Sequence, residues 1–372
     1  MLPSASNIPK SRSPFQLRLR KFRSLRRGYY SFVLLVGAYV LSFFLPFLAS
    51  DRAVMVSHDG NWYFPAFRSY CHETFGYFES LGLFEDKVYA PETFGQQTIS
   101  VRTDYRKLQQ EFKEAGAGDY VIMPYLPYSP TEQFLDEEGY PPHAPSSKHW
   151  FGTDDRARDV FVRLVYGFRI SMSFSLLVTI VAYLGGTIIG STLGYFGGWV
   201  DLIGLRFVEI WGGIPFLYTV MILAAALGPN FMLLVAILAA FGWLGISYYI
   251  RGEFYRENAK DYVAAAIATG ENNAIIMFKH ILPNALTPII AFAPFAIVAN
   301  IATLVALDFL GFGLPAPTPS WGELIGQGRA NIREWHLVIF PLLAMFVTLQ
   351  MVVFIGEAVR EAFDPKVFSR LR

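Results

Sequence analysis

The sequence predicts an all-α membrane protein with six transmembrane helices and an external insert between helices 1 and 2. Of its 372 residues, 53% are hydrophobic and only 16% are charged, whereas a soluble domain is closer to a quarter charged. The apolar residues gather into uncharged stretches of about 20 residues, the length that crosses ~30 Å of hydrocarbon. The charges are segregated too: residues 1–28 hold eight Lys and Arg without an acid, while residues 51–150 hold eight against fifteen Asp and Glu.

The first predicted span covers residues 29–49 and follows the basic tail 1–28. Because basic residues remain on the cytoplasmic side, the tail is assigned to the cytoplasm. A cleaved signal peptide is the alternative. It is disfavoured because the apolar stretch exceeds the roughly 7–15 residues of a signal core, and bulky Phe and Leu occupy the place of a small-residue cleavage site.

Residues 50–167 are predicted to form an external insert and the segment that leads back to the membrane. The excess of acidic over basic residues in the insert agrees with an external location. A charged stretch at 105–114 favours a helix. Prolines between Pro124 and Pro145 then indicate an extended strap. Aromatic residues are expected to supply a small core: Trp62, Tyr63, Phe64, Phe67, Tyr70, Phe75, Tyr77 and Phe78.

Residues 168–357 are predicted to form a core with the other five spans. The turn signal Gly228-Pro229-Asn230 divides an apolar run that is too long for one crossing. An even number of spans places the connection 251–283 and the tail 358–372 in the cytoplasm. Four basic residues before the second span argue weakly against this topology, because it places them on the external side of the membrane: Arg156, Arg158, Arg163 and Arg169. The five spans are expected at about 171–197, 210–227, 231–250, 285–307 and 337–356.

Several kinds of chemistry are missing from the sequence. No lysine follows a glycine, so a P-loop for ATP is excluded, and neither a Gly-x-Ser-x-Gly elbow nor His-Glu-x-x-His occurs. Cys71-His72-Glu73 falls short of the four ligands of a structural zinc site. We therefore expect no catalytic residue, metal or cofactor in this chain. The predicted spans carry no ionisable residue in their middles. This absence disfavours a proton- or sodium-coupled carrier and is compatible with a substrate that stays hydrated during transport.

The connection 251–283 is the most informative stretch. Its pattern predicts two short helices that meet at Gly270 and end at Pro283. Alanines before the glycine leave a flat surface that another protein can approach, and Ile275, Ile276 and Ile281 are expected to pack beneath it. Composition alone favours a simpler alternative, an ordinary amphipathic cytoplasmic loop.

The pattern Ala265-Ala266-x-x-x-Gly270, followed after ten residues by Ile281-Leu282-Pro283, resembles the EAA loop of ABC-importer permeases. Four further segments match that family in order: 152–171, 194–201, 307–315 and 357–365. They indicate the dipeptide/oligopeptide branch and are most similar to the YejE-type permeases of microcin C and oligopeptide importers. The sequence departs from the family at Ala264, where Glu is expected, and at Ala157, where most relatives have Gly.

The resemblance implies residue roles. An ATPase-coupling role falls on Asp261, Ala265, Ala266, Gly270, His280 and Pro283. Motif residues without an assigned direct role are Gly152, Asp154, Asp155, Arg158, Asp159, Gly167, Arg169, Asp201, Asp308, Gly311, Gly313 and Pro315.

The resemblance also implies the type I ABC-importer permease fold in the bacterial inner membrane, with both termini cytoplasmic. Its expected partners are a second homologous permease, two ABC ATPase domains that use ATP and Mg, a periplasmic or lipid-anchored solute-binding protein, the lipid bilayer and a peptide substrate, but no nucleic acid. Two alternatives remain: a stand-alone secondary carrier or channel, and a membrane-anchored sensor that binds its ligand through residues 50–150.

Overall fold

The computed structural model describes residues 14–75, 89–95, 103–116, 118–136 and 138–363. The chain forms two compact units. The first comprises Met1–Gly37, Ser171–Leu314 and Met345–Arg372, and the second comprises Ala38–Ile170 and Pro315–Ala344. The parts of the two tails at 1–13 and 364–372, with Pro365, lie outside the described residues.

Helices dominate the described residues, in agreement with the predicted all-α class. In chain order they are α1 (Pro14–Ser24), α2 (Arg26–Ser42), α3 (Leu45–Leu48), α4 (Pro65–Phe75), α5 (Tyr105–Ala115), α6 (Val160–Phe196), α7 (Gly198–Gly212), α8 (Phe216–Leu227), α9 (Phe231–Asn258), α10 (Asp261–Ala268), α11 (Asn273–Ile275), α12 (Leu282–Ala285), α13 (Thr287–Phe309), α14 (Trp321–Ala330) and α15 (His336–Phe363).

Four of the described helices, α6, α9, α13 and α15, are long and apolar enough to cross a membrane. The pair α7 and α8 adds a fifth span if the two are counted together, since they are bent by 68° at a short break. Helix α2 has 17 residues, which is at the short end of the range for a crossing. The count of six spans stays a prediction, with α2 as the first.

The third predicted span, 210–227, differs from the structure because it is not one helix. Pro215 stands before α8 as its N-cap residue, and Gly213 ends α7. Proline cannot donate to the preceding turn and disfavours helical backbone at the residue before it, so the break falls at this point. Helix α6 also begins earlier than its predicted span, and α9 continues to Asn258, beyond the predicted end of the fourth span.

The first and last described helices meet within the first unit. Lys21 of α1 forms an ion pair of 2.9 Å with Glu361 of α15. A Cβ added to Gly28 would lie only 2.1 Å from Cβ of Ala358, so the backbones of α2 and α15 touch there. The start of the first predicted span and the end of the last helix therefore lie together.

Close packing of α6 on α9 organises the first unit. Gly186, Gly190 and Gly194 are spaced four residues apart on α6, and a Cβ at each would come within 2.6 Å of an atom of α9. Small residues at this spacing let membrane helices approach each other closely. Beside this contact lies an apolar core formed by α6, α8, α9 and α13, which includes Phe174, Val220, Leu234 and Leu304.

The insert folds around a small antiparallel sheet with strand order β2-β1-β3, formed by Met55–His58 (β1), Asn61–Tyr63 (β2) and Tyr120–Ile122 (β3). The predicted helix is confirmed as α5, whose N-cap Asp104 accepts hydrogen bonds from the amides of Arg106 and Lys107. The core of the insert comprises Ala53, Val56, Phe94, Tyr105, Leu108 and Val121.

The predicted aromatic core of the insert is wrong for most of the described residues. Tyr63 packs against the observed core, whereas Trp62, Phe64 and Phe67 are exposed. Successive side chains of a strand point to opposite faces, so burial of Tyr63 turns Trp62 outward. Tyr70 contacts Phe47, outside this core. The side chain of Phe75, together with Tyr77 and Phe78, lies outside the described residues.

Candidate functional site

The loop after α9 contains α10, which ends in a glycine turn. Gly270 has a φ of 78°, which L side chains rarely adopt. Its amide donates to the carbonyl of Ile267, and the amide of Glu271 donates to the carbonyl of Ala266. These two bonds form a Schellman motif, which satisfies carbonyls that the helix end leaves free. The predicted bend at Gly270 thus has a definite backbone geometry.

Buried polar contacts fix the start of α10 to the end of α9. Glu257 is 2% exposed and accepts bonds of 2.7 Å from Lys260 and 3.0 Å from the hydroxyl of Tyr262. Burial, together with the bond to Glu257, raises the pKa of Tyr262, so the hydroxyl remains a donor. Sequence reasoning missed this cluster, although Glu257 and Lys260 have the i, i+3 spacing of a helical ion pair.

The second arm of the loop runs through a π-helical segment, Ile276–Ile281, and continues as α12. Pro283 lies inside this helix, so the expectation that it ends there is wrong. The π turns before it accommodate a residue without an N–H. Ile276 and Ile281 are buried with Val263 and Ala266 in one core, as expected, but Ile275 is exposed.

The outer face of the loop is small and apolar. Ala264, Ala265 and Ala268 are exposed on α10, and Ile267 of the same helix is also exposed. Ala266 faces inward, so of the two alanines in the motif only Ala265 lies on the outer face. His280 lies across the turn, with Nε2 2.6 Å from a carboxylate oxygen of Glu271. Asp261 is exposed at the first position of α10.

A second polar contact connects α7 to α9 in the same unit. Asp201 is 7% exposed and accepts bonds of 2.5 and 2.6 Å from Arg251, and a further bond from the hydroxyl of Tyr255. The sequence motif identified Asp201 but not its partners. This contact fixes the start of α7 against the C-terminal half of α9.

The motif before α6 forms a buried ion network in the second unit. Arg158 lies 2.6 Å from Asp154 and 3.0 Å from Glu323. Arg163, which has no exposed surface, lies 2.5 Å from Glu323. Burial opposes the charge on Arg158, but hydrogen bonding and the charges of Asp154 and Glu323 outweigh it and raise its pKa. Burial and the nearby Asp154 raise the pKa of Asp155. Sequence reasoning missed Glu323, which is 165 residues from Arg158.

Neighbouring motif residues shape the start of α6. Asp159 accepts a bond of 2.8 Å from the amide of Val162 and lies 2.7 Å from His149, so it acts as an N-cap. Gly152 has a φ of 75°, and a Cβ there would lie 2.5 Å from the carbonyl oxygen of His143. Ala157, at the position where Gly is expected from the resemblance, has a φ of 57°.

Two more motif residues of α6 lie within the second unit. A Cβ on Gly167 would lie 3.0 Å from the ring of Trp321, whose indole donates to the carbonyl of Leu164. The guanidinium of Arg169 lies over the ring of Tyr166, 5.1 Å from its centroid.

Asp308 organises the turn that follows α13. Its carboxylate accepts a bond of 2.7 Å from the amide of Leu314. Gly313 packs so closely against Asp308 that a Cβ would collide with it, and Gly311 has a φ of 81°. Pro315 follows this turn and is exposed. The motif residues are thus placed in four local structures: the coupling loop, the contact of α7 with α9, the segment around the start of α6 and the turn after α13. The coupling loop belongs to the first unit and the ion network to the second.

One group of possible metal ligands occurs among the described residues, and the sequence did not indicate it. His58, Asp59 and Asp119 bring ligand atoms within 4.8 Å of one another. Nδ1 of His58 lies 2.8 Å from Asp119, and Asp59 begins the tight β1–β2 turn. The group therefore has a structural role in that hairpin.

Comparison with known proteins identifies the family of this chain. Residues 186–369 match the family described as "Binding-protein-dependent transport system inner membrane component", and the chain belongs to that family. It is a permease subunit of an ABC importer.

Three relatives illustrate the similarity. The Peptidoglycan transport system permease protein YejE of Agrobacterium fabrum is 38% identical over 94% of this chain and 92% of its own length. The Inner membrane ABC transporter permease protein YejE of Escherichia coli K12 is 37% identical over 94% and 96%. The Dipeptide transport system permease protein DppC of Bacillus subtilis is 36% identical over 66% and 77%.

Proposed function

We propose that this chain imports oligopeptides or peptide-like compounds of the microcin C type as half of a translocation path in the bacterial inner membrane. The names of the relatives support a peptide cargo, since they include dipeptide and peptidoglycan transport. The other half of the path is a second, homologous permease. A periplasmic or lipid-anchored solute-binding protein delivers the cargo.

The observation that carries the coupling role is the outer face of α10. Its exposed Ala265 and Ala268 allow close approach of another protein, while Glu257 fixes one end and the Gly270 turn fixes the other. A helix held at both ends transmits force as a rigid body. One of two ABC ATPase domains docks on this face, and the two domains together hydrolyse ATP with Mg and rock the spans. This chain supplies no catalytic residue or cofactor.

The topology proposed for this role has both termini in the cytoplasm. The basic α1 region and the contact of Lys21 with Glu361 support it. Two of the arginines that argue against this topology, Arg158 and Arg163, are buried and paired with acids, so they argue against it less strongly. The proposed boundaries are a tail 1–28, a first span 29–49, an insert 50–167, a core 168–357 and a tail 358–372.

Reconstitution into vesicles tests the proposal. The chain, its partner permease, both ATPases and the binding protein are expected to accumulate a labelled oligopeptide only when ATP is present on the ATPase side. The chain alone is expected to show no ATP hydrolysis. Peptide uptake by the chain alone, without ATPases, would establish the stand-alone carrier instead. Ligand binding by the insert without any uptake would establish the sensor.

A further inference from the structure

Two charged residues of α7 lie on its exposed face. Nη1 of Arg206 lies 2.6 Å from a carboxylate oxygen of Glu209, and the side chains are 69% and 49% exposed. Their neighbours on the same face, Ile203, Phe207 and Ile210, are large, apolar and exposed as well. An ion pair therefore lies within an apolar surface.

Two hydrogen bonds between α7 and α9 show which residues of α9 lie beside the Arg206–Glu209 pair. Asp201 at the start of α7 bonds to Arg251 of α9, and Trp211 near the end of α7 donates a bond of 2.7 Å to the carbonyl of Ala240. The ten residues from 201 to 211 rise ~15 Å, and the eleven from 240 to 251 rise ~16 Å. Helix α7 therefore runs antiparallel alongside α9 over this length.

The pair lies beside the uncharged part of α9. Arg206 and Glu209 are five and eight residues beyond Asp201, or ~7 and ~12 Å along the axis. At this level α9 carries none of its charges, since residues 231–250 contain neither acid nor base. With residues 231–250 of α9 taken as the predicted span, the ion pair lies at the level of the hydrocarbon, whereas the sequence predicted spans without one.

The break in the span is a second, independent observation. Gly213, Ile214 and Pro215 interrupt the helix between α7 and α8, and all three are exposed. Non-helical backbone at membrane depth is tolerated where protein covers it or where it lines a water-filled cavity. Charged side chains at this depth face a bundle interior or an aqueous pathway for the same reason.

We infer that Arg206 and Glu209 line the water-filled path of the importer and provide the polar surface along which the ammonium and carboxylate groups of a peptide pass. This inference rests on the proposed function. According to this inference, the exposed face of α7 contacts the transported peptide. It does not contact lipid, and it does not form a water-free interface with the second permease. A zwitterionic cargo suits a lining that carries one charge of each sign.

Charged thiol reagents test the inference in the reconstituted complex. In a Cys71→Ser background, Arg206→Cys and Glu209→Cys are each treated with a cationic and an anionic methanethiosulfonate. Both variants are expected to react. Val208→Cys is the matched control because Val208 lies between them and is 2% exposed, so it is expected to stay unmodified.

The sign of the remaining charge makes the result specific. In Glu209→Cys, the free guanidinium of Arg206 should favour the anionic reagent. In Arg206→Cys, Glu209 should favour the cationic one. We expect the ratio of the two rates to differ by about tenfold between the variants, because the charge that remains a few ångströms away attracts one reagent and repels the other. Modification should also block peptide uptake.

Both variants reacting no faster than Val208→Cys would overturn the inference, and so would equal preference for the two reagents. Either result, obtained with a wild-type complex that imports peptide, would leave the proposed function in place. Failure of the wild-type complex to import peptide would instead refute the proposed function. A further control replaces an exposed pair on α5: Lys107→Leu with Glu111→Leu should keep uptake, whereas Arg206→Leu with Glu209→Leu should lower it about tenfold, because the lining loses its charge.

Discussion

Replacing Gly270 separates backbone geometry from contact at the coupling turn. Gly270 has a φ of 78°, and a Cβ there would meet no atom within 4 Å. Gly270→Ala therefore introduces no clash within this chain, but it costs roughly 1–2 kcal/mol for the left-handed backbone. If the variant relieves that strain by losing the Schellman turn, the end of α10 frays and the docking face is no longer fixed.

The same free energy predicts the size of the effect on assembly. A penalty of 1–2 kcal/mol is a factor of about 5–30 in an equilibrium constant, so we expect Gly270→Ala to weaken ATPase binding by about that factor. The assay is titration of purified ATPase subunits onto the permease pair in nanodiscs, together with peptide uptake. Binding of peptide to the external receptor should be unchanged.

Gly270→Asn is the matched control, because Asn tolerates the left-handed region better than Ala. It should retain more ATPase binding than Gly270→Ala, although its side chain is larger. Gly270→Asp has the same shape as Asn with a charge, and it should stop uptake if the side chain meets the docked ATPase. Wild-type ATPase affinity and uptake in Gly270→Ala, at wild-type abundance, would refute the reasoning.

Three further predictions concern the loop, the ion network and the insert. Ala265→Asp should abolish ATPase co-purification, because it desolvates a charge at a close contact, whereas Ala264→Glu restores the residue typical of the family and should be tolerated. Equal binding by the two variants would contradict the docking face. Glu323→Gln should destabilise the second unit by about 3 kcal/mol, since buried Arg158 and Arg163 then share one carboxylate. Glu111→Gln, whose carboxylate is exposed, serves as its control in thermal unfolding of the detergent-solubilised protein. Thr131→Cys and Glu114→Cys should react with an impermeant maleimide in intact spheroplasts, and reaction only after permeabilisation would reverse the topology.

Hydrophobic length and charge asymmetry determined the class of this protein from sequence alone. These signals are local: a 20-residue apolar stretch has few ways to satisfy its backbone other than a membrane helix. The Gly270 turn was also predictable, because the helix signal stops at a residue that alone adopts positive φ without strain. Pattern matching located the motif residues for the same reason, since each motif is contiguous in the chain.

Tertiary structure decided which partners those residues have. Nothing in the sequence near Arg158 and Arg163 indicates Glu323, because the contact spans more than 150 residues and depends on how the strap and α14 pack. The depth of Arg206 and Glu209 likewise depends on bonds from Asp201 and Trp211 to α9. The aromatic core of the insert was mispredicted because strand register, rather than aromatic content, decides which side chains are buried. Local patterns fix helices and turns, whereas buried charges take their partners from the packing of distant segments.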